Sequence, residues 1–189
     1  MRKIPEVLDG EERRKLLAVP NTRYPTGLRN LCMIRVMLNA GLRVGEVVSL
    51  QVKDVDMNTG KVTIHNGKGG KDRVLWLGEE DLELLGKWRG RMPTGSTYMF
   101  TTLKGGQLSD RYIRSMVKRY AVKAGIKDIH PHTLRHTFAT DLYRDTHNLV
   151  LVGKALGHSS ITTTTIYTHL VDGELEGAMR SFRLEAVVA

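Results

Sequence analysis

The sequence predicts a mainly helical α+β domain in which a small antiparallel β-sheet packs on a helical core. Most of the chain repeats apolar residues at helical spacing between start and stop signals, whereas residues 52–77 switch to β-branched residues broken by turns. Size agrees with this reading. With 189 residues, 41% hydrophobic and 26% charged, the chain can bury one compact core, and no low-complexity region interrupts it.

Taken in order, Asp9 precedes Glu11, Glu12 and the apolar Leu16 and Leu17, which predicts a capped first helix ending near Pro20. From Leu28 to Ala40 the chain is densely apolar, with Arg29 and Arg35 as its only charges, so a helix buried on most sides is expected, stopped by Gly41. Arg43 and Glu46 then stand three apart across a helix start. That spacing suits either a weak local ion pair or an arginine held so that its guanidinium fork can clasp a phosphate. Spacing leaves both open.

The predicted sheet draws on Val52, Val55, Val62, Ile64, Val74, Leu75 and Leu77, with turn signals at 58–60 and 66–71. The second turn is glycine-rich and basic and puts Lys68 and Lys71 at a hairpin tip. It is not a nucleotide-binding P-loop: Asp72 follows Lys71 where Ser or Thr is needed, and the turn joins two strands. Glu79 to Arg91 predicts an amphipathic helix carrying Leu82, Leu85 and Trp88 and closed by Pro93. Ser109 or Asp110 caps a further helix with Ile113, Met116, Val117, Tyr120 and Ala124 inward and Gly125 as its stop. Its other face offers Arg111, Arg114, Lys118 and Arg119, a positive surface beside the segment that follows.

That segment, His130 to Tyr167, concentrates the chemistry. Leu134, Phe138 and Leu142 recur every four residues, flanked by Ala139 and Tyr143, so this helix buries one stripe. Pro131 is favoured at a helix start, which puts His132 in the first turn, where backbone N–H groups welcome an anion; Arg135 lies three residues on. A second stripe, Leu149, Val152 and Leu156, ends at Gly157, and His158 projects from that turn with Ser159 or Ser160 as the next N-cap. Tyr167 closes a short Thr-rich helix, and Asp172 can cap a last one with Leu175, Met179, Phe182 and Leu184.

Composition narrows the partner. Against 20 Asp+Glu stand 29 Lys+Arg, a formal charge of +9, which suits a polyanion and nucleic acid before others. No apolar run approaches a membrane span, and Met1 to Glu6 lacks the apolar segment of a signal peptide; a cytoplasmic location without membrane association is expected. Cys32 has no partner for a disulfide and reads as a core residue. His132 and His136 have a zinc-compatible spacing, but Thr133 stands where the metalloprotease pattern has Glu, so no metal site is expected. Tyr112, Tyr120 and Tyr143 read as core residues.

In this order, Arg43, Lys68, His132-x-x-Arg135, Gly157-His158 and Tyr167 resemble the catalytic domain of the tyrosine recombinases, the family of phage integrases and of Xer-type and Cre-type enzymes. Ala40 to Glu46 is similar to the family's first arginine box, Gly67 to Arg73 to its hairpin lysine, and His132 to His136 to its His-x-x-Arg box; Leu156 to Ser159 and Ile166 to His169 are similar to its last two boxes. Gaps agree as well, 23 residues from Arg135 to His158 and nine more to Tyr167. The resemblance runs from about Asp9 to about Val171. It implies a tyrosine recombinase catalytic domain over residues 1–171 and a C-terminal helix or tail over 172–189 that packs on its own subunit or in trans. The N-terminal DNA-binding domain that usually completes the clamp is expected to be absent from this chain.

For function, the resemblance implies a site-specific recombinase or integrase that breaks and rejoins DNA strands through a 3′-phosphotyrosyl intermediate. Tyr167 would be the nucleophile and His132 its base. Arg43 and Arg135 would hold the non-bridging oxygens, Lys68 would protonate the leaving 5′-oxygen and His158 would bond the phosphate. Glu46 would support these groups, and Lys71, Arg73, Arg111, Arg114 and Lys118 would meet DNA. No cofactor is implied, neither ATP nor metal. The partner would be double-stranded DNA, with the free chain monomeric and the working form a tetramer on DNA. A catalytically silent DNA-binding regulator of this fold and a type IB topoisomerase-like relaxing enzyme are the alternatives.

Overall fold

Asp9 opens the first helix as expected. Its carboxylate accepts from the backbone N–H groups of Glu11 and Glu12, both at 2.8 Å, while the Glu12 carboxylate accepts from the Asp9 N–H at 3.0 Å. This reciprocal cap satisfies donors that a helix start leaves unpaired, and α1 runs Gly10–Ala18. The next helix, α2, spans Pro25–Asn39 and begins three residues before the expected Leu28. Pro25 is the reason: at the first helical position its fixed φ suits the helix and its missing N–H costs nothing. The remaining helices of the computed structural model are α3 Val44–Ser49, α4 Glu79–Arg89, α5 Asp110–Lys123, α6 Pro131–Thr146 and α7 Leu149–Leu156. The structure describes residues 6–65, 72–127, 129–157 and 179.

Two strands, β1 Lys61–Ile64 and β2 Arg73–Trp76, pair antiparallel with Val62 opposite Leu75 and Ile64 opposite Arg73. The sheet is smaller than Val52 and Val55 suggested. Residues 52–54 instead form a 3-10 turn, capped by the Asp54 carboxylate accepting from the Gln51 N–H at 2.9 Å, and Val55 only bridges to Val62. A local side-chain cap here outcompetes the strand propensity of a valine. Alternation along β2 turns Arg73 and Leu75 inward and Val74 and Trp76 outward.

The core gathers around α2, whose Met33, Ile34 and Met37 are fully buried between α4 and α6. Trp88 of α4 is buried as well, with its indole N–H donating to the Met99 carbonyl at 2.8 Å. Cys32 lies in this core, and burial pushes its thiol up to about 12, which keeps it protonated and unreactive. A buried polar tie fixes α5: Arg29 of α2 donates to the Thr101 carbonyl at 2.6 Å and to the Tyr112 hydroxyl, and Asn30 donates to the Tyr120 hydroxyl at 2.9 Å. Both tyrosines thus pack inward as expected, and the basic face of α5 points out.

Leu134 anchors α6 to the main core, while Ala139 and Tyr143 form a small second cluster with Val152 and Leu156 of α7. Phe138, expected in the stripe, is only partly buried and lies over Gly41. Gly41 has a φ of +62°, and a Cβ there would come within 2.3 Å of the Phe138 ring. Gly41→Ala therefore combines left-handed strain with a clash, and we expect it to cost about 2–4 kcal/mol by urea denaturation. Gly125→Ala, at φ +72° with nothing within 4 Å, should cost only about 1–2 kcal/mol. Equal losses in the two variants would remove the ring contact from the account.

Candidate functional site

The site is built on the turn between α2 and α3. Arg43 is the N-cap of α3, and Glu46 in the first turn reaches back so that its Oε2 accepts from the Arg43 backbone N–H at 2.7 Å. The same carboxylate takes the Arg43 guanidinium on Oε1 at 2.8 Å. A carboxylate at this position also complements the positive end of the helix. This is more than a surface ion pair. The Arg73 guanidinium, entering from β2, donates one bond to each Glu46 oxygen, both at 2.7 Å, and the Arg135 guanidinium lies 3.9 Å from Oε2.

Three guanidiniums thus converge on one carboxylate, leaving the cluster with a net positive charge. Burial alone would raise the Glu46 carboxyl, but its bonds to Arg73 and Arg43 outweigh that and hold it at about 2. Glu46 is therefore ionised throughout the physiological range and cannot serve as a general acid.

Arg135, in the first turns of α6, is buried. Its two terminal nitrogens donate to the Gly41 carbonyl at 2.5 Å and the Leu156 carbonyl at 2.6 Å. Arg73 makes a parallel contact, its Nε donating to the Ala155 carbonyl at 2.9 Å. Two arginines therefore satisfy carbonyls at the C-terminus of α7, where the helix dipole favours cations. Gly157 follows as the left-handed cap, where a Cβ would come within 2.9 Å of the Arg73 side chain.

A cleft opens beside this cluster, lined by Arg43, Glu46, Asp54, His65, Arg114 and His132. His132 sits just behind Pro131 at the start of α6, and its imidazole is exposed. Partial burial and then the cations Arg114, Arg135 and Arg43 lower its pKa below the usual 6.5, so at neutral pH it carries no charge and can accept a proton. His136, one turn on, is lowered too, by burial and then by His132 and Arg135. Arg111, Arg114 and Lys118 are exposed on α5 as expected, with Arg114 reaching the cleft.

One expected role is corrected. Arg73 was placed among the residues that meet DNA, yet its side chain is 8% exposed and its guanidinium is taken up by Glu46 and Ala155. The signal was in the alternation of Arg73, Leu75 and Leu77, which puts all three on the core face. Lys68, Lys71, His158 and Tyr167, together with the short Thr-rich helix expected before Tyr167 and, apart from Met179, the tail 172–189, lie outside the described residues.

A further feature has no counterpart in the sequence reading. His65, just after β1, bridges two carboxylates: Nδ1 is 2.9 Å from Asp72 and Nε2 is 3.1 Å from Asp54. His65 directly follows β1 and Asp72 directly precedes β2, a cross-strand charge pair that the spacing could have suggested.

The chain belongs to the Phage integrase family, whose pattern matches residues 6–174, and its fold is that of a tyrosine recombinase catalytic domain. Tyrosine recombinase XerC of Xanthomonas campestris pv. campestris (strain B100) is 40% identical over 171 residues, which make up 89% of this chain and 52% of that protein. Among solved structures, XerA recombinase superposes with a TM-score of 0.80 at 32% identity, covering 97% of this chain and 67% of that one. XerH site-specific recombinase, in a post-cleavage complex with its palindromic difH substrate, gives 0.78 at 34% identity and covers 96% and 54%. The chain spans about half the length of the curated relatives it matches.

The two contacts to His65 raise its pKa above 6.5, Asp72 contributing more than Asp54. A raised folded-state pKa stabilises the fold fully below the unfolded value of 6.5 and loses that contribution as pH rises through the folded pKa. Wild type should therefore melt above His65→Gln under mildly acidic conditions, and the gap should close in alkali. A gap that is constant with pH in thermal melts would show that the clasp does not titrate.

Proposed function

We propose that this chain is the DNA-cleaving domain of a site-specific recombinase. It would break and rejoin DNA strands through a 3′-phosphotyrosyl intermediate, with residues 1–171 as the catalytic domain and 172–189 as a tail that packs in cis or in trans. The observation that carries the reading is the cleft in which an uncharged imidazole, His132, stands beside an excess of guanidinium charge fixed by Glu46. Such a site is preorganised for an anion that gains charge during reaction.

In this reading the Tyr167 phenol oxygen attacks the scissile phosphorus as its proton passes to His132. A phenol with a pKa of about 10 needs both that acceptor and the surrounding positive field. Arg43 and Arg135 stabilise the negative charge on the non-bridging oxygens, with His158 as a further hydrogen-bond donor. As the bond from phosphorus to the 5′-oxygen breaks, Lys68 supplies the proton to that oxygen. Attack of another strand's 5′-hydroxyl on the phosphotyrosine reverses these steps and restores the phenol. The covalent link conserves the phosphodiester, so the reaction requires no ATP.

Double-stranded DNA is the partner proposed, with Arg111, Arg114 and Lys118 on the outward face of α5 and Lys71 meeting backbone phosphates. Exchange between two duplexes requires cutting in both, which is the reason to propose a tetramer on DNA formed from free monomers. No specific observation favours the silent regulator or the relaxing topoisomerase.

The test uses a pool of nicked suicide duplexes of randomised sequence, in which cleavage traps protein on DNA. The chain should form an SDS-stable adduct with a selectable member of the pool, and Tyr167→Phe should lose the adduct while binding that duplex within about threefold of wild type. With His132 as the base and its pKa lowered, the adduct rate should rise through a midpoint below pH 6.5 and be level at neutrality. An adduct that survives Tyr167→Phe would assign the chemistry to another residue.

A further inference from the structure

Arg73 shows a combination of features that the proposed chemistry does not use. It is a charged residue on a strand whose inward face is otherwise apolar, and it pairs across the sheet with the buried Ile64. A guanidinium at such a position is retained against a desolvation cost unless its donors are met. Here they are met with near-ideal geometry: two parallel bonds of 2.7 Å to the two oxygens of Glu46 and one of 2.9 Å to the Ala155 carbonyl. Arg73 thereby joins three elements through one side chain, the base of β2, the first turn of α3 and the end of α7.

We propose that Arg73 is a positioning residue for strand cleavage: by clamping both oxygens of Glu46 it fixes the carboxylate against which Arg43 and Arg135 are set, and it does so without touching DNA. The inference rests on the function proposed above. Glu46 has two oxygens to serve three guanidiniums and a backbone N–H. With Arg73 in place, Oε1 is shared by Arg43 and Arg73, and Oε2 by the Arg43 N–H and Arg73. The carboxylate plane is then set by the bidentate pair, the most directional contact it makes. Remove Arg73 and the carboxylate can rotate toward the remaining cations, carrying Arg43 with it. A displacement of about 1 Å in a group that stabilises the transition state can cost about 100-fold in rate.

A second consequence separates positioning from plain stability. The half-enclosed Glu46 stays ionised because Arg73 and Arg43 together outweigh its burial. Without Arg73, burial is opposed by less, so the carboxyl should begin to take up a proton in the mildly acidic range. Cleavage then acquires a second acid limb, added to the one that His132 gives wild type.

The experiment measures single-turnover adduct formation by the full chain on the suicide duplex selected with wild type, together with the affinity for that duplex and the rate between pH 5 and 8. Arg73→Gln should slow cleavage by about 10- to 100-fold at saturating protein, with affinity within about threefold of wild type. Below about pH 6 its rate should fall more steeply than wild type's, and this extra fall should disappear in the Arg73→Gln/Glu46→Gln double variant, leaving the His132 limb. Arg73→Lys keeps the charge and loses the fork, and should lie between wild type and Arg73→Gln without the extra acid limb. It also serves as the deciding variant if Arg73→Gln does not fold. An unchanged rate in whichever variant folds overturns the inference alone. So does an equal loss of rate and affinity, which would make Arg73 a DNA contact. Absence of any adduct with wild type overturns the proposed function and this inference with it.

Discussion

One carboxylate organises the site. Glu46 is placed by a helix start, receives the backbone and side chain of its own N-cap, and from there gathers a guanidinium from β2 and faces another from α6. Like charges would otherwise keep the three arginines apart, so the shared anion is what allows them to sit together. Since it neutralises only part of their charge, the remainder is available as a fixed field over the cleft. Partial burial first, then Arg114 together with Arg135 and Arg43 of this cluster, lowers the pKa of His132 and leaves the imidazole able to take a proton. The cluster's surplus charge thus contributes both to the field over the cleft and to the uncharged state of His132.

The fold supplies the rigidity this arrangement needs. α3 and α6 are both held to α2, the first through a short turn at Gly41 and the second by burial of Leu134. The end of α7 is fastened by Arg73 and Arg135 through its last carbonyls. Site residues thus sit on helix ends and strand ends whose backbones are fixed by the core. The polar tie of Arg29 and Asn30 to Tyr112 and Tyr120 does the same for α5, so Arg114 reaches the cleft from a fixed helix.

Much of this was legible before any coordinates. Helix starts at Asp9, Arg43, Ser109 and Pro131 and stops at Gly125 and Gly157 follow from local chemistry, since caps act within a few residues. What remained hidden depends on contacts between residues far apart in sequence. The pairing of Arg43 with Glu46 was visible, but its weight was not, because that weight comes from Arg73, 27 residues on. Arg73 itself was read by its charge, as a DNA contact, when the strand alternation that turns it inward was the stronger constraint. Val52 and Val55 misled for the opposite reason: their strand propensity was overridden by the Asp54 cap.

The claim on which the account turns is that Glu46 is an ionised anchor under strong cationic restraint. Carbon-detected NMR of the chain labelled at glutamate side-chain carboxyls reports this directly. The account predicts that the Glu46 signal holds its ionised shift down to about pH 3 and turns only near its midpoint of about 2. A midpoint in the ordinary glutamate range of about 4 to 5 would mean that the arginines do not hold the carboxylate, and the account of the cleft would be contradicted.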